Sequence, residues 1–589
     1  MMARWFYGLF VEAVLLGIGY LRSGWAYREL LRRRLIPAAL SENHFRWLSL
    51  ALACAAGGLF YSALVREEWR RSHLRKIIFA LVGFNLLVIS PFLVPLILHH
   101  EGRGLAVIAV LLNGFPVWFA LRDSYQLKDE VIRGTRVLPQ RHIQKALQNL
   151  YRGEMSKADL PGIPYWRSCR LPRRRETQHI LIVGSSGSGK TQLIYPLLEE
   201  VMARGDKAVV WDVKGTYIQA LSRHPRVRIM APWDRRSIAW RPGADIRCPL
   251  DCQQAAAILI PRNNQDSQPY FLNSARHVFE AVLLHLDAGG EPWGWKDVWD
   301  MVSQGKEALS DALQKSADGR AAATLIQGDS KGSQDVYATL ISALQPTRWL
   351  ARAWPRKGVS LRRWVGSSAQ RNVLILGGVP EREELAGATA RLALQVLVNE
   401  CLSLPDDLNR RVWFFLDELG TLGRMDSLLQ AFAMGRSKGL CVVAGIQNIG
   451  KIEHVYGRDL AKSIANIFGT AIYLRCSDVS TSQWASDSLG LQETRGYHRS
   501  QSRGISQGGL FDSHGRNTSM SASTQQVHFT KPVFLASEIS NFPDLSGVLR
   551  VSGWPVALLR WPLKAIPQFN PLVKEADWTA QKIKLDWNV

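Results

Sequence analysis

The stretch that most limits what this chain can become is His179-Ile-Leu-Ile-Val183 followed by Gly184-Ser-Ser-Gly-Ser-Gly-Lys-Thr191. An apolar strand runs into a glycine-rich turn and then into a helix that opens Gln192-Leu-Ile-Tyr-Pro-Leu-Leu198. That is the order of a P-loop. Gly184, Gly187 and Gly189 let the backbone turn tightly, so that it and the intervening Ser185, Ser186 and Ser188 point successive N–H groups at a phosphate chain, with the helix dipole behind them. Lys190 supplies a point charge for the β- and γ-phosphates, and Thr191 a hydroxyl for Mg2+. A flexible Gly/Ser loop with a chance lysine needs neither the apolar residues before it nor the helix after it.

The rest of the chain is greasy and basic. Of its 589 residues, 47% are apolar and the formal net charge is +23, which favours polyanionic partners, either nucleic acid or the anionic inner face of a membrane. Charge alone does not choose between them. The seven cysteines are scattered without a C-x-x-C pair, which argues for reduced thiols; Cys248 and Cys252 lack the second pair or the histidines of a metal site.

The first 122 residues hold a membrane signal. Residues 77–98 form an uncharged run long enough to cross a bilayer, 47–65 is nearly as long, 105–121 is borderline, and 5–21 is short and carries Glu12. Several apolar runs follow the first and no small-residue cleavage site closes it, which argues against a signal peptide and leaves buried core helices as the alternative. A P-loop enzyme faces the cytoplasm, so residues from Arg122 onward belong there. Arg66, Arg70, Arg71, Arg75 and Lys76 fall inside if 77–98 and 105–121 form a hairpin. Arg22, Arg28, Arg32, Arg33 and Arg34 then fall outside if 47–65 also spans, so the positive-inside rule leaves the number of spans open. Residues 123–177 read as a basic juxtamembrane connector, either a solvated linker on anionic lipid or a DNA contact.

Beyond the P-loop helix, Lys207-Ala-Val-Val-Trp-Asp212 is a second buried strand, and Asp212 at its end either positions nucleotide or metal or caps the loop Asp212-Val-Lys-Gly215. Val227 to Met230 is a third. From about Leu250 to Trp354 the pattern is helical, including Asn273 to Leu286, the amphipathic stretch Asp335 to Ala351 and the Trp-rich Trp293-Gly-Trp-Lys-Asp-Val-Trp299, whose rings are core on burial frequencies rather than platforms for bases. Strands resume at Asn372 to Leu376. Arg411-Val-Trp-Phe-Phe-Leu-Asp417-Glu418 then sets two acids at a strand tip, the Walker B pattern: Asp417 reaches Mg2+ through its water shell and Glu418 polarises the attacking water. After a helix ending in Gly435-Arg-Ser-Lys-Gly439, Gln447 closes the strand Leu440 to Gly445, placed to sense a γ-phosphate. Arg436 is either a helix-end arginine complementing the dipole or a finger for a neighbour's nucleotide. Residues 494–526 form a Ser/Gly/Arg/Gln-rich hairpin or loop, and 548–551 with 556–561 a closing β-hairpin.

Over roughly residues 125–565 these features resemble the type IV coupling proteins, the TraD/TraG family of conjugative DNA-transfer ATPases. The likeness rests on Gly184–Thr191, Asp212-Val-Lys-Gly215, Pro232-Trp-Asp-Arg-Arg-Ser-Ile-Ala-Trp240, Pro269-Tyr-Phe with Ala275-Arg276, Asp417-Glu-Leu, Gly435-Arg-Ser-Lys-Gly, Gly445-Ile-Gln-Asn and Phe542-Pro-Asp-Leu545. It implies an α/β fold: a RecA-like P-loop NTPase domain of residues 178–249 and 355–565 with an all-α domain, 250–354, inserted in it. A helical transmembrane anchor (1–122) and the connector (123–177) precede it, and a short tail (566–589) follows. It further implies ATP and Mg2+ as ligands, with Lys190 and Thr191 binding them, Asp417 and Glu418 as Walker B acids, Arg436 as the finger and Gln447 as the sensor. The implied setting is a homo-hexamer in the bacterial inner membrane, multi-pass, with the ATPase body cytoplasmic. The implied partners are DNA of either strandedness with low sequence specificity, relaxase and relaxosome proteins, and components of a type IV secretion channel.

The chain departs from that pattern in having more apolar runs than the usual two and no long acidic C-terminal extension. An ABC transporter needs an LSGGQ-like signature between its Walker motifs, whereas Ser506-Gln-Gly-Gly-Leu510 follows Walker B; a GTPase needs an N/T-K-x-D guanine reader, which is not visible. The remaining alternatives are a chromosome-segregating translocase of the FtsK/HerA type and a membrane-tethered DNA-binding scaffold.

Overall fold

Strands that lack a polar face are stable only when both faces are covered, and the apolar strands from Ile180 onward gather into one nine-stranded sheet that satisfies the requirement. The computed structural model describes residues 130–579 without 157–158, 262–268, 355–357, 368–371 and 507–516, together with Arg28, Leu31 and Arg32. The four apolar runs before residue 122 lie outside the described residues. Among the described residues no helix is long and apolar enough to cross a membrane. Contacts divide the chain into two units, Met1–Glu130 with Gly496–Val527 and Val131–Arg495 with His528–Val589. The larger unit holds the nine-stranded sheet and the helices around it.

In chain order the strands are β1 (Glu130–Gly134), β2 (Pro161–Trp166), β3 (Cys169–Pro172), β4 (Ile180–Val183), β5 (Lys207–Asp212), β6 (Val227–Met230) and β7 (Val373–Gly377). There follow β8 (Val412–Leu416), β9 (Leu440–Ile446), β10 (Thr470–Tyr473), β11 (Leu491–Ser506), β12 (Asn517–Pro532), β13 (Ser546–Val551) and β14 (Ala557–Arg560). The large sheet runs β14-β13-β10-β4-β9-β8-β5-β7-β6, parallel from β10 to β6 and closed at one edge by the antiparallel β13–β14 hairpin. Every residue of β4, β8 and β9 is buried. Val183 of β4 is level with Ile446 of β9 and with Tyr473 of β10, so the loop that follows β4 emerges between two neighbouring strand ends. Asp212, Asp417 and Gln447 reach the same edge, at or just past the ends of β5, β8 and β9. This is where ligands lie in an open α/β sheet.

Between β6 and β7 the chain is helical, from Pro249–Leu259 and Pro269–Ala288 to Leu361–Gly366. The expected single amphipathic stretch from Asp335 to Ala351 is two helices, Lys331–Ala343 and Gln345–Ala353, because Pro346 in the first turn of the second cannot donate back into the first. Trp293 and Trp295 are buried and Trp240 packs edge-on against Trp295 at 5.5 Å, so these rings are core. Asp245 fastens the entry of the insertion to its exit. It is fully buried and accepts from Trp240 Nε1 (2.8 Å) and from the backbone N–H groups of Leu361 (2.8 Å) and Arg362 (3.1 Å). Orphaning one such buried donor costs about 1–3 kcal/mol.

The connector is not a free linker. The helix Ile143–Glu154 and the β2–β3 ribbon pack on the sheet domain, where Trp166 Nε1 donates to Arg560 O (2.8 Å) and Trp561 Nε1 to Tyr165 O (2.7 Å). The Arg173-Arg-Arg175 run, expected to rest on lipid or DNA, is engaged within the protein. Arg175 Nε donates to Glu154 Oε2 at 2.7 Å, Arg173 lies 3.9 Å from Asp206, and Arg173 Nη2 donates to Asn409 O. The Ser/Gly-rich stretch pairs as β11 with β12, in the order β1-β11-β12. The described part of the tail also docks. Lys574 N donates to Asp234 Oδ2, Ala576 N to Trp233 O, and Trp578 stacks on Trp349 of the helical insertion at 5.5 Å.

Candidate nucleotide site

The loop after β4 is braced from three sides before any ligand enters. Gly184 N donates to Ile446 O (3.0 Å), Ser185 N to Arg475 O (2.8 Å), and Leu545 N to Ser188 O (3.1 Å). Leu545 takes a left-handed backbone (φ 58°), costly for a branched side chain, and sets its methyls where a Cβ on Gly189 would come within 2.4 Å. Gly189 itself has φ 108°, so it is a glycine on both counts. The Phe542-Pro-Asp-Leu545 segment is thus a buttress for the loop, and Asp544 adds an ion pair to Arg475 at 2.7 Å.

A cavity of about 400 Å3 opens at this edge, lined by Ser185, Ser186, Gly187, Gly189, Lys190 and Thr191 of the loop, and by Asp417, Glu418 and Gln447 from the strand ends. Sequence spacing alone had proposed these residues for one site. Gly184 and Ser188 stand behind it: the Ser188 N–H and hydroxyl both turn onto Ser185 O, at 3.2 and 2.8 Å, so that Ser188 shapes the loop. Lys190 Nζ bridges Gly184 O (2.6 Å) and Ser185 O (3.3 Å), which holds its ammonium over the loop.

Thr191 Oγ1 and Asp417 Oδ1 are 3.5 Å apart, and Tyr217 OH donates to the same oxygen at 3.2 Å. Glu418 Oε1 accepts from Gln447 N at 3.2 Å. A Cβ on Gly445 would meet Asp417 O at 2.1 Å, so a glycine is what lets β9 lie this close to the Walker B strand. Burial raises both the Asp417 and Glu418 carboxyls above their ordinary range, partly offset by Lys190 in each case. Burial lowers the Lys190 ammonium, again offset by the two acids. These groups are held in a poorly solvated pocket, where electrostatic contacts with an anion and a divalent cation are stronger than in water. A hydroxyl and a carboxylate side by side are also the hard oxygen donors that Mg2+ takes.

Asp212 settles into the second of its two readings. It is fully buried, its Oδ2 accepts from Ile218 N at 2.9 Å, and burial raises it to about 7, so it caps the helix Thr216–Leu221 behind the site. Arg436 is not in the cavity. It is exposed, four residues before β9, whereas Gln447 follows the other end of that seven-residue strand, a separation of about 20 Å at ~3.3 Å per residue. Its turn is pinned by its neighbours: Ser437 Oγ donates to Asp406 Oδ1 (3.0 Å) and Lys438 Nζ lies 2.8 Å from the same atom. Three residues of the site escaped the sequence reading. Lys214 and Lys451 line the cavity and Tyr217 orients Asp417. Lys214 stands inside the quoted Asp212-Val-Lys-Gly215 motif, and Lys451 four residues beyond Gln447; Tyr217 carried no signal beyond that of a core aromatic.

The sequence profile of the family described as the type IV secretion-system coupling protein DNA-binding domain matches residues 160–562. The chain belongs to this family. Coupling protein TraD of Escherichia coli (strain K12) is 24% identical over 475 residues, 79% of this chain and 63% of TraD, so the chain spans less than two thirds of that relative. Among solved structures, the unbound monoclinic form of the bacterial conjugative coupling protein TrwBdeltaN70 superposes with a TM-score of 0.62 at 24% identity, covering 76% of this chain and 96% of that one. TrwB in complex with ADP and Mg2+ gives 0.62 at 24% identity, over 77% of this chain and 99% of that one. The shared fold is a RecA-like nucleotide-binding domain with a helical domain.

Proposed function

We propose that this coupling-protein family member is an ATP-driven DNA motor of the bacterial inner membrane that feeds a relaxase-bound DNA strand to a type IV secretion channel during conjugation. The observation that carries the reading is the single cavity in which a braced P-loop meets Asp417, Glu418 and Gln447 in a chain of this family. TrwB has been solved with ADP and Mg2+ and with a non-hydrolysable ATP analogue, which supports ATP and Mg2+ as the ligands here.

In this reading the loop N–H groups and Lys190 hold the β- and γ-phosphates. Thr191 and Asp417 would hold Mg2+, which would supply positive charge to the β- and γ-phosphates. Glu418, fixed by the Gln447 N–H, orients the attacking water and takes its proton. The Gln447 side chain reads the γ-phosphate. Arg436, on the opposite edge of its own sheet and with an exposed side chain that forms no hydrogen bond or ion pair among the described residues, serves the nucleotide of the next subunit in a homo-hexamer. The +23 net charge supports backbone-directed DNA binding of low sequence preference. The apolar runs before residue 122 support a multi-pass anchor with the ATPase body cytoplasmic.

The test is ATP hydrolysis by the full chain in detergent, with and without DNA, across a salt series. Turnover that DNA raises several-fold, with the stimulation fading steeply as salt rises, is the expected result. Hydrolysis indifferent to DNA at every salt concentration contradicts the motor and favours a scaffold with a structural nucleotide.

A further inference from the structure

Within one subunit Lys190 is tied to the loop through Gly184 O and Ser185 O, and a second cation from the same chain lies in the cavity. That cation is Lys451. It lies in the first turn of the helix Ile449–Tyr456, and it lines the same cavity as the P-loop and the Walker B acids. Its backbone is rigidly set. Asn448 Oδ1 accepts from Gly450 N at 2.6 Å and Ile449 N donates to Thr481 Oγ1 at 3.0 Å, so the start of the helix is fixed directly after Gln447. A Cβ built on Gly420 would lie 3.2 Å from the Lys451 Cβ and 3.6 Å from Glu418 Oε1, which places the base of the lysine beside the group that activates water.

The ammonium forms no ion pair or hydrogen bond among the described residues, while Glu418, an acid whose charge it feels, is already engaged by the Gln447 N–H. A lysine that lines this cavity with no anion of its own is matched to one that arrives. A solvated lysine lying over Gly420 is the plain alternative, and it makes no demand on the third phosphate.

We propose that Lys451 contacts the γ-phosphate in cis and is a further catalytic residue of the ATPase. This rests on the ATPase reading above. A charge-assisted contact to the γ-phosphate is worth roughly ten- to a hundredfold in affinity or rate, and none of it is available to a diphosphate.

The experiment compares the full chain in detergent with Lys451→Ala and Lys451→Arg, measuring equilibrium binding of fluorescent ATP and ADP analogues and the DNA-stimulated turnover. Lys451→Ala is expected to lose roughly tenfold or more in kcat and in the ATP-over-ADP affinity ratio, with ADP affinity unchanged, and Lys451→Arg to recover a large part of both. An unchanged affinity ratio and kcat in Lys451→Ala, beside an active parent chain, overturns the assignment, as does an equal loss of ATP and ADP affinity. A parent chain that neither binds nor hydrolyses ATP overturns the ATPase reading itself, a result the two variants do not mimic.

Discussion

At the amino edge of the sheet Arg173, Arg204 and Arg411 stand around Glu176 and Asp206; at the carboxyl edge Lys190, Lys214 and Lys451 stand around Asp417 and Glu418. Each set is three cations and two acids, and the distances separate them. Arg204 lies 2.7 Å from Glu176 and 2.6 Å from Asp206, Arg411 lies 3.0 Å from Glu176, and Glu176 is fully buried. None of the three lysines forms an ion pair with Asp417 or Glu418; the acids and lysines influence one another across the cavity. Charges that have closed on one another hold the fold, tying the ribbon and the P-loop helix to β5 and β8. Charges held apart leave a space whose sign and size suit a magnesium polyphosphate. The lesson is that identity and count of charged residues say little about role until their spacing is known.

A crossed pair of substitutions separates the two edges. Glu418→Gln is expected to slow hydrolysis by about 10²–10⁴-fold, with ATP affinity and the unfolding midpoint unmoved, because it removes an acid–base group while the amide oxygen still accepts from Gln447 N. Glu176→Gln is expected to do the reverse. Removing the charge between Arg204 and Arg411 leaves buried cations short of a partner, at about 3–5 kcal/mol by urea unfolding, while the fraction that stays folded binds ATP normally. Exchange of these two phenotypes, or a Glu176→Gln protein as stable as its parent, removes the distinction between the edges.

Smaller, and confined to acid, is the effect of His179 at the amino edge. Its Nδ1 accepts from Val442 N (3.2 Å), so its Nε2 carries the proton and faces Phe432 O (3.2 Å), on the helix that leads to the turn of Arg436. Burial, with Arg436 adding to it, lowers its pKa to about 4 from an unfolded value near 6.5. The unfolded chain therefore binds the extra proton first as pH falls. Stability from this site is complete above about pH 6.5 and is lost between there and pH 4, on the order of 3 kcal/mol in all. His179→Gln should flatten that part of the stability–pH curve; an unchanged slope means the imidazole is not the group that titrates.

Much of this was legible in the sequence for a physical reason. A strand buried on both faces is written as a contiguous apolar run, so Ile180–Val183 and Val412–Leu416 could be delimited directly, and the polar residues at their tips fell into one cavity because parallel strands end on one edge. What stayed hidden depends on partners distant in the chain. Arg173 and Arg175 read as a lipid- or DNA-facing run because Glu154, Asp206 and Asn409 carry no local mark. Asp212 had two equal readings until Ile218 N was found on it. Lys451 was silent because the group it awaits is absent from any sequence.

In the proposed ring one edge of each sheet holds its own nucleotide while the other serves the next subunit's. Mixing full-length Arg436→Ala chains with full-length Lys190→Ala chains tests it directly, each being expected to be inactive alone. In a mixed ring some interfaces join an intact P-loop to an intact Arg436, and DNA-stimulated hydrolysis should return to a measurable fraction of the parent rate. Rings shown by differential tagging to be mixed, yet no more active than either variant alone, would contradict the account and leave Arg436 as a helix-end charge.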